Sequence, residues 1–530
     1  MSDLLVYFVL APILIGVFMY LFSHVFIGRL LAVTFQLALV VSSLMLFIYV
    51  REAGTTVVLS IGEYSGVLGI SLGADYISSM FVFLTNFIFL MATIYSYKEK
   101  DNQLFWFLMY VWQAGIVGVF LTRDLFNRFV LMEVGTIVIT VLLVYRRDAR
   151  KMYHAMLFLM INIVAVQLYL FGLGLVYMQI GVVDLYEAAY RIRAVDPAYM
   201  ILPYALFMTF VAFKAALVPM SHWLPKALSA SGAPSSVSAI LAGVHVTSGL
   251  YMFIRFSYMF SMINARPFFI VVGILTSLFS VVMAISARDI KVILSYLTLS
   301  QVGLIILAFN LGGISYFGAL FHTGNQILFH GALFFAAGII YHNYGTRNIH
   351  LIDGVFKVNK AAAIVTVVGL MGVMNIPFFN GNISSNLMFG YTYMWVQVIA
   401  WVINAGIIIA AVRYGKMLLG KPGDNAKVSK ESEKEIASML IAALCILVGV
   451  LGPFIASFIF DVNVYIFSTP FLINAAIITV VFILAFLFTG KIKSVKITDL
   501  SRSYDVGFKG MAISIGIFFA AILIATYLLN

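Results

Sequence analysis

The sequence has almost no sulfur chemistry to offer. A single cysteine, Cys445, stands in 530 residues, which excludes an internal disulfide and any thiolate-rich metal or iron–sulfur site. Charge is nearly as scarce: 10% of residues are charged against 63% hydrophobic, and the mean hydropathy is +1.07. That balance excludes an ordinary soluble protein. No phosphate-cradling glycine loop, zinc-binding HExxH, nucleophile elbow or dinucleotide fingerprint occurs. The chain therefore shows no bond-making chemistry, and neither a cofactor nor a metal is expected. The net charge of +11 reads as loop bias on one membrane face, so nucleic acid is not expected as a partner.

What is present is apolar length. Runs of about 20 residues, each enough to cross a ~30 Å hydrocarbon core, recur from end to end. The expected fold is an all-α polytopic membrane protein of about sixteen spans. They cover 4–24, 27–50, 77–97, 103–122, 125–145, 152–177, 200–225, 233–259, 268–286, 290–310, 315–342, 362–386, 388–418, 436–460, 468–490 and 508–529. The first run follows an acidic start with no basic n-region, so it is expected to be retained rather than cleaved. With these spans, odd-numbered loops carry 24 of the 32 Lys and Arg and even-numbered loops carry 7. The rich side includes Arg146, Arg147, Arg150, Lys151, Lys357, Lys360, Lys491, Lys493 and Lys496. It should face the cytoplasm, with both termini outside. The segment Lys421–Glu435 reads as a solvated cytoplasmic loop, and Arg51–Ser78 as an apolar loop lying across the outer face.

Two spans are interrupted by proline. Span 7 (FMTFVAFKAALVPMSHWLPK) meets Pro219 and Pro225, and span 12 meets Pro377 within MGVMNIPFFNGNISSN. Proline lacks an N–H and leaves a carbonyl without its helical partner. Irregular backbone at membrane depth is tolerated only inside protein or beside water. The two breaks lie five spans apart, as in transporters built from two inverted repeats. Spans 4–8 and 9–13 would be the two five-helix units.

Intramembrane polar residues are costly and call for a role or a partner. Glu133 lies in mid-span 5 and Lys214 just before the break of span 7. If their charges stood ~6 Å apart at an effective dielectric near 20, they would attract by about 2.8 kcal/mol. Moving one charge through 100 mV is worth ~2.3 kcal/mol, so opening this pair could gate a proton; the alternative is a static salt bridge. In span 11, His322, Gln326 and His330 recur at i, i+4 and i+8 on one helix face and suit a proton relay or interhelical hydrogen bonding. His245 and Thr247 of span 8 read equally as packing or proton-carrying groups. His222, between the two prolines, could extend the path or cap the broken helix.

At these residues the chain resembles a known family. TRDLFNRFVLMEV (122–134), FKAALVPMSHWLPKA (213–227), APSSVSAIL (233–241), RDIKVILSYLTLSQVGLI (288–305), ALFHTGNQILFHGALFFAAGIIY (319–341) and GTRNI (345–349) carry the resemblance. The family is the antiporter-like, proton-translocating subunits of Mrp-type sodium/proton antiporters, respiratory complex I and membrane-bound hydrogenases. The resemblance implies that Glu133 and Lys214 are the family's span-5 glutamate and span-7 lysine. The family's span-8 lysine falls on Thr247, beside His245, and its span-11 lysine or histidine falls on His330. Its span-12 lysine or glutamate falls on Ser385, so the second half lacks its usual ionisable group. Sixteen spans resemble the family's longer A- or L-type branch, without the long lateral helix that L-type subunits carry.

The expected organisation is 1–100 for spans 1–3 with the outer-face loop, 101–260 for the first repeat, 261–420 for the second, and 421–530 for the cytoplasmic loop and spans 14–16. The resemblance implies a multi-pass subunit of a prokaryotic cell membrane that moves protons, with sodium as a second candidate ion. Its partners would be the other membrane subunits of an Mrp-like or complex I-like assembly. The parent complex is then either a standalone antiporter or an ion-translocating oxidoreductase of the NADH dehydrogenase, hydrogenase or sulfur-reductase type, with peripheral iron–sulfur subunits. The other readings are a non-conducting scaffold of a redox-driven membrane arm and a haem-binding subunit using paired histidines.

Overall fold

The computed structural model describes the chain except residues 1, 64–68, 99–102, 146–148, 231–233, 424–425, 429–430, 463–467, 493–499 and 501–505. Arg146, Arg147, Lys493 and Lys496 of the basic loops, and Ala233 of one resembling block, lie outside the described residues. The fold is all-α and polytopic. Among the described residues, fourteen helices are long and apolar enough to cross a membrane, and the bent pair Ser432–Val450 and Gly452–Phe460 makes a fifteenth span. Span 12 is too broken to count by length: it is the two short helices Lys360–Val373 and Asn380–Phe389. Helix thus occupies each of the sixteen expected segments.

Burial separates a core from a periphery. Spans 8, 10 and 11 (Ser235–Met259, Ile290–Leu311 and Gly313–Tyr344) are wholly buried over their most apolar windows, whereas Thr469–Phe488 and Phe508–Leu529 expose most of theirs. These buried spans carry His245, Gln301, His322, Gln326 and His330, as expected where polar groups in hydrocarbon must face protein. The loop between spans 2 and 3 is not merely apolar: β1 (Val57–Ser60) and β2 (Ser71–Ala74) pair antiparallel in it. The loop before span 14 touches its neighbours, with Lys427 N–H donating to Asn343 O at 2.9 Å, and the first turn of span 14 is tied down by Lys98 on Glu433 at 2.9 Å and Asn359 on Glu435 at 2.7 Å.

One backbone pattern occurs twice, five spans apart. Asp124 caps the N-terminus of span 5, and there Leu125 N–H donates to Val183 O (2.8 Å) and Leu185 N–H to Arg123 O (2.9 Å). Asp289 caps span 10, with Ile290 N–H to Arg347 O and Ile349 N–H to Arg288 O, both 2.9 Å. The breaks match as closely. In span 7, Ala215, Ala216 and Leu217 donate to Val211, Phe213 and Ala212 (2.8, 3.0 and 2.8 Å), with Ala216 left-handed at φ 55°. In span 12, Met374, Asn375 and Ile376 donate to Leu370, Gly372 and Met371 (2.9, 3.1 and 3.0 Å), with Asn375 at φ 60°. Lys214 therefore corresponds to Val373, and Ala216 to Asn375.

Each helix ends before its proline, at a left-handed residue, so proline does not by itself set the break. Pro219 and Pro377 lie within the breaks. Pro225 lies in the first turn of the half-helix Trp223–Ala230, where a missing N–H has no helical partner to lose.

Candidate functional site

Lys214 is the last residue of the half-helix Pro197–Lys214 and is fully buried. Its ammonium donates to Thr136 Oγ1 at 3.1 Å and to Asn162 Oδ1 at 2.9 Å. Glu133 stands one turn before Thr136 on span 5, about 4.5 Å along the axis at ~1.5 Å per residue. It is half-buried, and its Oε2 has no hydrogen-bond partner. The direct pair expected from sequence is thus not closed in this structure; a hydroxyl and a carboxamide hold the ammonium instead. Sequence reasoning missed Thr136 and Asn162 because neither is unusual in a membrane helix and only the fold brings them to Lys214.

The broken backbone around Lys214 is tied down on three sides. Trp223 Nε1 donates to Phe213 O at 2.8 Å, and Thr276 Oγ1 of span 9 accepts from Val218 N at 3.1 Å. Gly249 of span 8 lies against the break so closely that a Cβ there would stand 2.6 Å from Ala215 N and 2.8 Å from Lys214 C.

His245 ends a π-helical turn, Leu241–His245, in the middle of span 8. Its ring packs against Trp112 and Trp223 at 6.2 and 6.4 Å, and its Nε2 is buried without a hydrogen-bond partner. Thr247 turns back on its own helix, donating to Gly243 O at 2.7 Å. The π-turn faces span 11, where a Cβ on Gly243 would lie 3.5 Å from Ile327 O.

The three polar residues of span 11 share a face but do not bond to one another through their side chains. His322 is held at both ring nitrogens, by Ser384 Oγ at 2.8 Å and Gln301 Oε1 at 2.9 Å. Gln326 has neither amide atom partnered, and His330 reaches only its own helix at Gln326 O (3.3 Å), leaving Nε2 unpartnered. Unpartnered buried polar atoms cost about 1–3 kcal/mol each. Such atoms occur on Glu133, His245, Gln326 and His330, in spans 5, 8 and 11. At span 12 it is Ser384 that meets His322; Ser385 is half-buried beside it. Lys291 was also missed: it sits one residue inside span 10, reads as a loop charge, and is buried with Nζ on Ser238 Oγ at 3.0 Å.

At the even-loop end of the bundle, Arg255 Nη2 pairs with Asp75 Oδ1 at 2.7 Å, and the Tyr186 hydroxyl lies 3.1 Å from Asp75 Oδ2 and 3.2 Å from Arg255 Nη1. Burial pushes the Asp75 carboxyl up, but Arg255 and the hydrogen bonds from Arg255 and Ser78 outweigh it and hold the group at about 2. A carboxylate depressed in the folded state stabilises above its unfolded value near 4, and loses that contribution as pH falls through about 2. Asp75 should therefore contribute about 2 kcal/mol at neutral pH. In melting curves between pH 5 and pH 2.5, Asp75→Asn should start less stable and show a flatter acid limb than the parent. Parallel limbs would contradict the assignment.

Comparison with known proteins gives the family. Residues 122–410, more than half of the chain, match the family described as "NADH:quinone oxidoreductase/Mrp antiporter, TM". A Na(+)/H(+) antiporter subunit of Alkalihalophilus pseudofirmus is 27% identical over 432 residues, 79% of this chain and 85% of that protein. A putative antiporter subunit mnhD2 of Staphylococcus aureus is 26% identical over 476 residues, 86% and 94% of the two chains. A chain of the Mrp complex from Dietzia sp. superposes with TM-score 0.78 at 19% identity, covering 90% of this chain and 99% of that one. A chain of the membrane-bound sulfane sulfur reductase, an archaeal respiratory complex, gives 0.78 at 19% over 91% and 99%, and one of Thermus thermophilus complex I gives 0.73 at 18% over 90% and 99%. These solved structures share the fold. With the match across its central spans, the chain belongs to the NADH:quinone oxidoreductase/Mrp antiporter transmembrane family, as an antiporter-like membrane subunit.

Proposed function

We propose that the chain translocates protons through its first five-helix unit, with Lys214 as the carrier and Glu133 as its alternate partner. One observation carries this reading: a fully buried ammonium is held by two neutral groups while an unpartnered carboxylate oxygen belongs to the residue one helical turn before the hydroxyl that holds it. Hydrogen bonds to a charged group are worth about 1.5–3 kcal/mol each, so Thr136 and Asn162 together offer about 3–6 kcal/mol. An ion pair with Glu133 offers about as much once bond and charge are both counted. Two arrangements of similar energy are what a switch requires. Deprotonation removes the attraction to Glu133, and reprotonation restores it. From Lys214 the route continues by His245 to Gln326 and His330, whose unpartnered atoms mark the way, and on to His322, held between Gln301 and Ser384.

The matching caps and breaks of spans 5, 7, 10 and 12 support two repeats. The order of loops makes the second inverted relative to the first, with both termini outward in a cell membrane. The assembly, by likeness to the relatives' names, is a multisubunit one of Mrp or complex I type that exchanges Na+ for H+ or couples protons to redox subunits. The retained charges oppose the scaffold reading.

Glu133→Gln tests this. In inside-out vesicles carrying the whole complex, proton uptake followed by acridine-dye quenching should fall at least tenfold with assembly unchanged. Uptake at the parent rate would remove Glu133 from the path.

A further inference from the structure

The two breaks have the same backbone but opposite chemistry, and the difference points to a second kind of site. A helix C-terminus carries about half a negative charge from its unpaired carbonyls and favours a cation. In span 7 that cation is covalent: Lys214 ends the half-helix. In span 12 the equivalent residue is Val373, so the C-terminal end of Lys360–Val373 has no such charge. What surrounds it instead is carboxamide: Gln301 Nε2 donates to Val373 O at 3.0 Å, and neighbouring asparagines bring further amide oxygens.

The orientation of those oxygens follows from their neighbours. Backbone carbonyls only accept, so the carboxamide NH₂ groups must face them. Asn404 Nδ2 faces Met374 O (3.4 Å), Asn382 Nδ2 faces Asn375 O (2.8 Å) and Asn380 Nδ2 faces Asn325 O (3.2 Å). Asn404 Oδ1 then takes Asn375 Nδ2 at 3.1 Å. Two acceptors remain, Asn375 Oδ1 and Asn380 Oδ1; both residues are 1% exposed and neither oxygen has a partner. They converge on one place. A Cβ on Gly372 would stand 2.7 Å from Asn380 Oδ1, and one on Gly381 would stand 2.7 Å from Asn375 Oδ1 and closer still to Gly372 O. Asn380 begins the second half-helix, whose positive end opposes a cation, but its oxygen lies on the first half-helix's side of the break.

We propose that the break of span 12 binds an alkali-metal cation, Na+ or K+, through Asn375 Oδ1, Asn380 Oδ1 and Gly372 O, at the half-helix end that in span 7 carries the lysine. Unwound backbone carbonyls and half-helix C-termini are suited to a dehydrated monovalent ion. The ligands named are neutral, whereas divalent ions take carboxylates. The inference rests on reading the chain as an ion-transport subunit but not on the proton route through Lys214.

The test uses the purified whole complex, with ²²Na+ or ⁸⁶Rb+ (for K+) in choline buffer, and equilibrium binding as the readout. Asn375→Ala and Asn380→Leu should each weaken one of the two ions' binding at least tenfold. Asn380→Asp, which keeps the shape and adds a charge, should tighten it at least tenfold and covers the case that the other variants misfold. Glu133→Gln should leave binding unchanged while losing proton uptake, so the two readings fail separately. Parent-like binding of both ions in Asn380→Asp and Asn380→Leu alike would overturn the site.

Discussion

Lys214→Arg should assemble, keep its positive charge and lose proton uptake by about a hundredfold. Guanidinium stays protonated at any physiological pH, whereas a buried ammonium releases its proton readily. The charge still reaches Thr136 and Asn162, so a residue whose role is to pin helices would tolerate the exchange far better. Lys214→Met removes the charge and fills much of the same volume, and it should abolish uptake equally. The pair of variants separates carrier from clamp. If uptake survives in Lys214→Arg but not in Lys214→Met, the charge matters and the proton does not. Acridine-dye quenching in inside-out vesicles reads both, with the assembled complex quantified by size exclusion.

Much of this architecture could be read from the residues. Sixteen apolar runs became sixteen helical segments because hydrocarbon thickness fixes how long a span must be. The polar residues that cost most to bury, Glu133, Lys214, His322 and His330, stood out because each is improbable in lipid. What could not be read was how they are held. Thr136, Asn162, Gln301 and Ser384 are ordinary in membrane helices, and their roles come from contacts far apart in sequence, such as Lys214 with Asn162. Charge at a span's edge was also ambiguous: Lys291 looked like a loop cation and is buried on Ser238. The prolines misled in a smaller way. They announce the breaks, but left-handed Ala216 and Asn375 start them, and alanine gives no sequence signal of a left-handed backbone.

Gly249→Ala should cost nearly as much activity as losing Lys214, though no ionisable group changes. The added methyl would begin 2.6 Å from Ala215 N and 2.8 Å from Lys214 C. Those are backbone atoms of a segment already tied by Trp223 and Thr276, so neither side can rotate away as a flexible side chain would. Overpacking of this kind typically costs about 1–3 kcal/mol and forces a backbone shift. The shift falls on the residue that carries the ammonium, and a displacement of ~1 Å at a working group can cost ~10²-fold in rate. Proton uptake should drop by about that factor, with a modest fall in melting temperature. Gly243→Ala is the internal control. It sits six residues earlier on the same span, where a Cβ would lie at ordinary contact, 3.5 Å from Ile327 O, and uptake should stay within about twofold of the parent. Equal loss in both variants would mean that span 8 is simply intolerant of bulk. Loss in Gly249→Ala alone ties the effect to the break, because of these two glycines only Gly249 touches the backbone on which the ammonium is mounted.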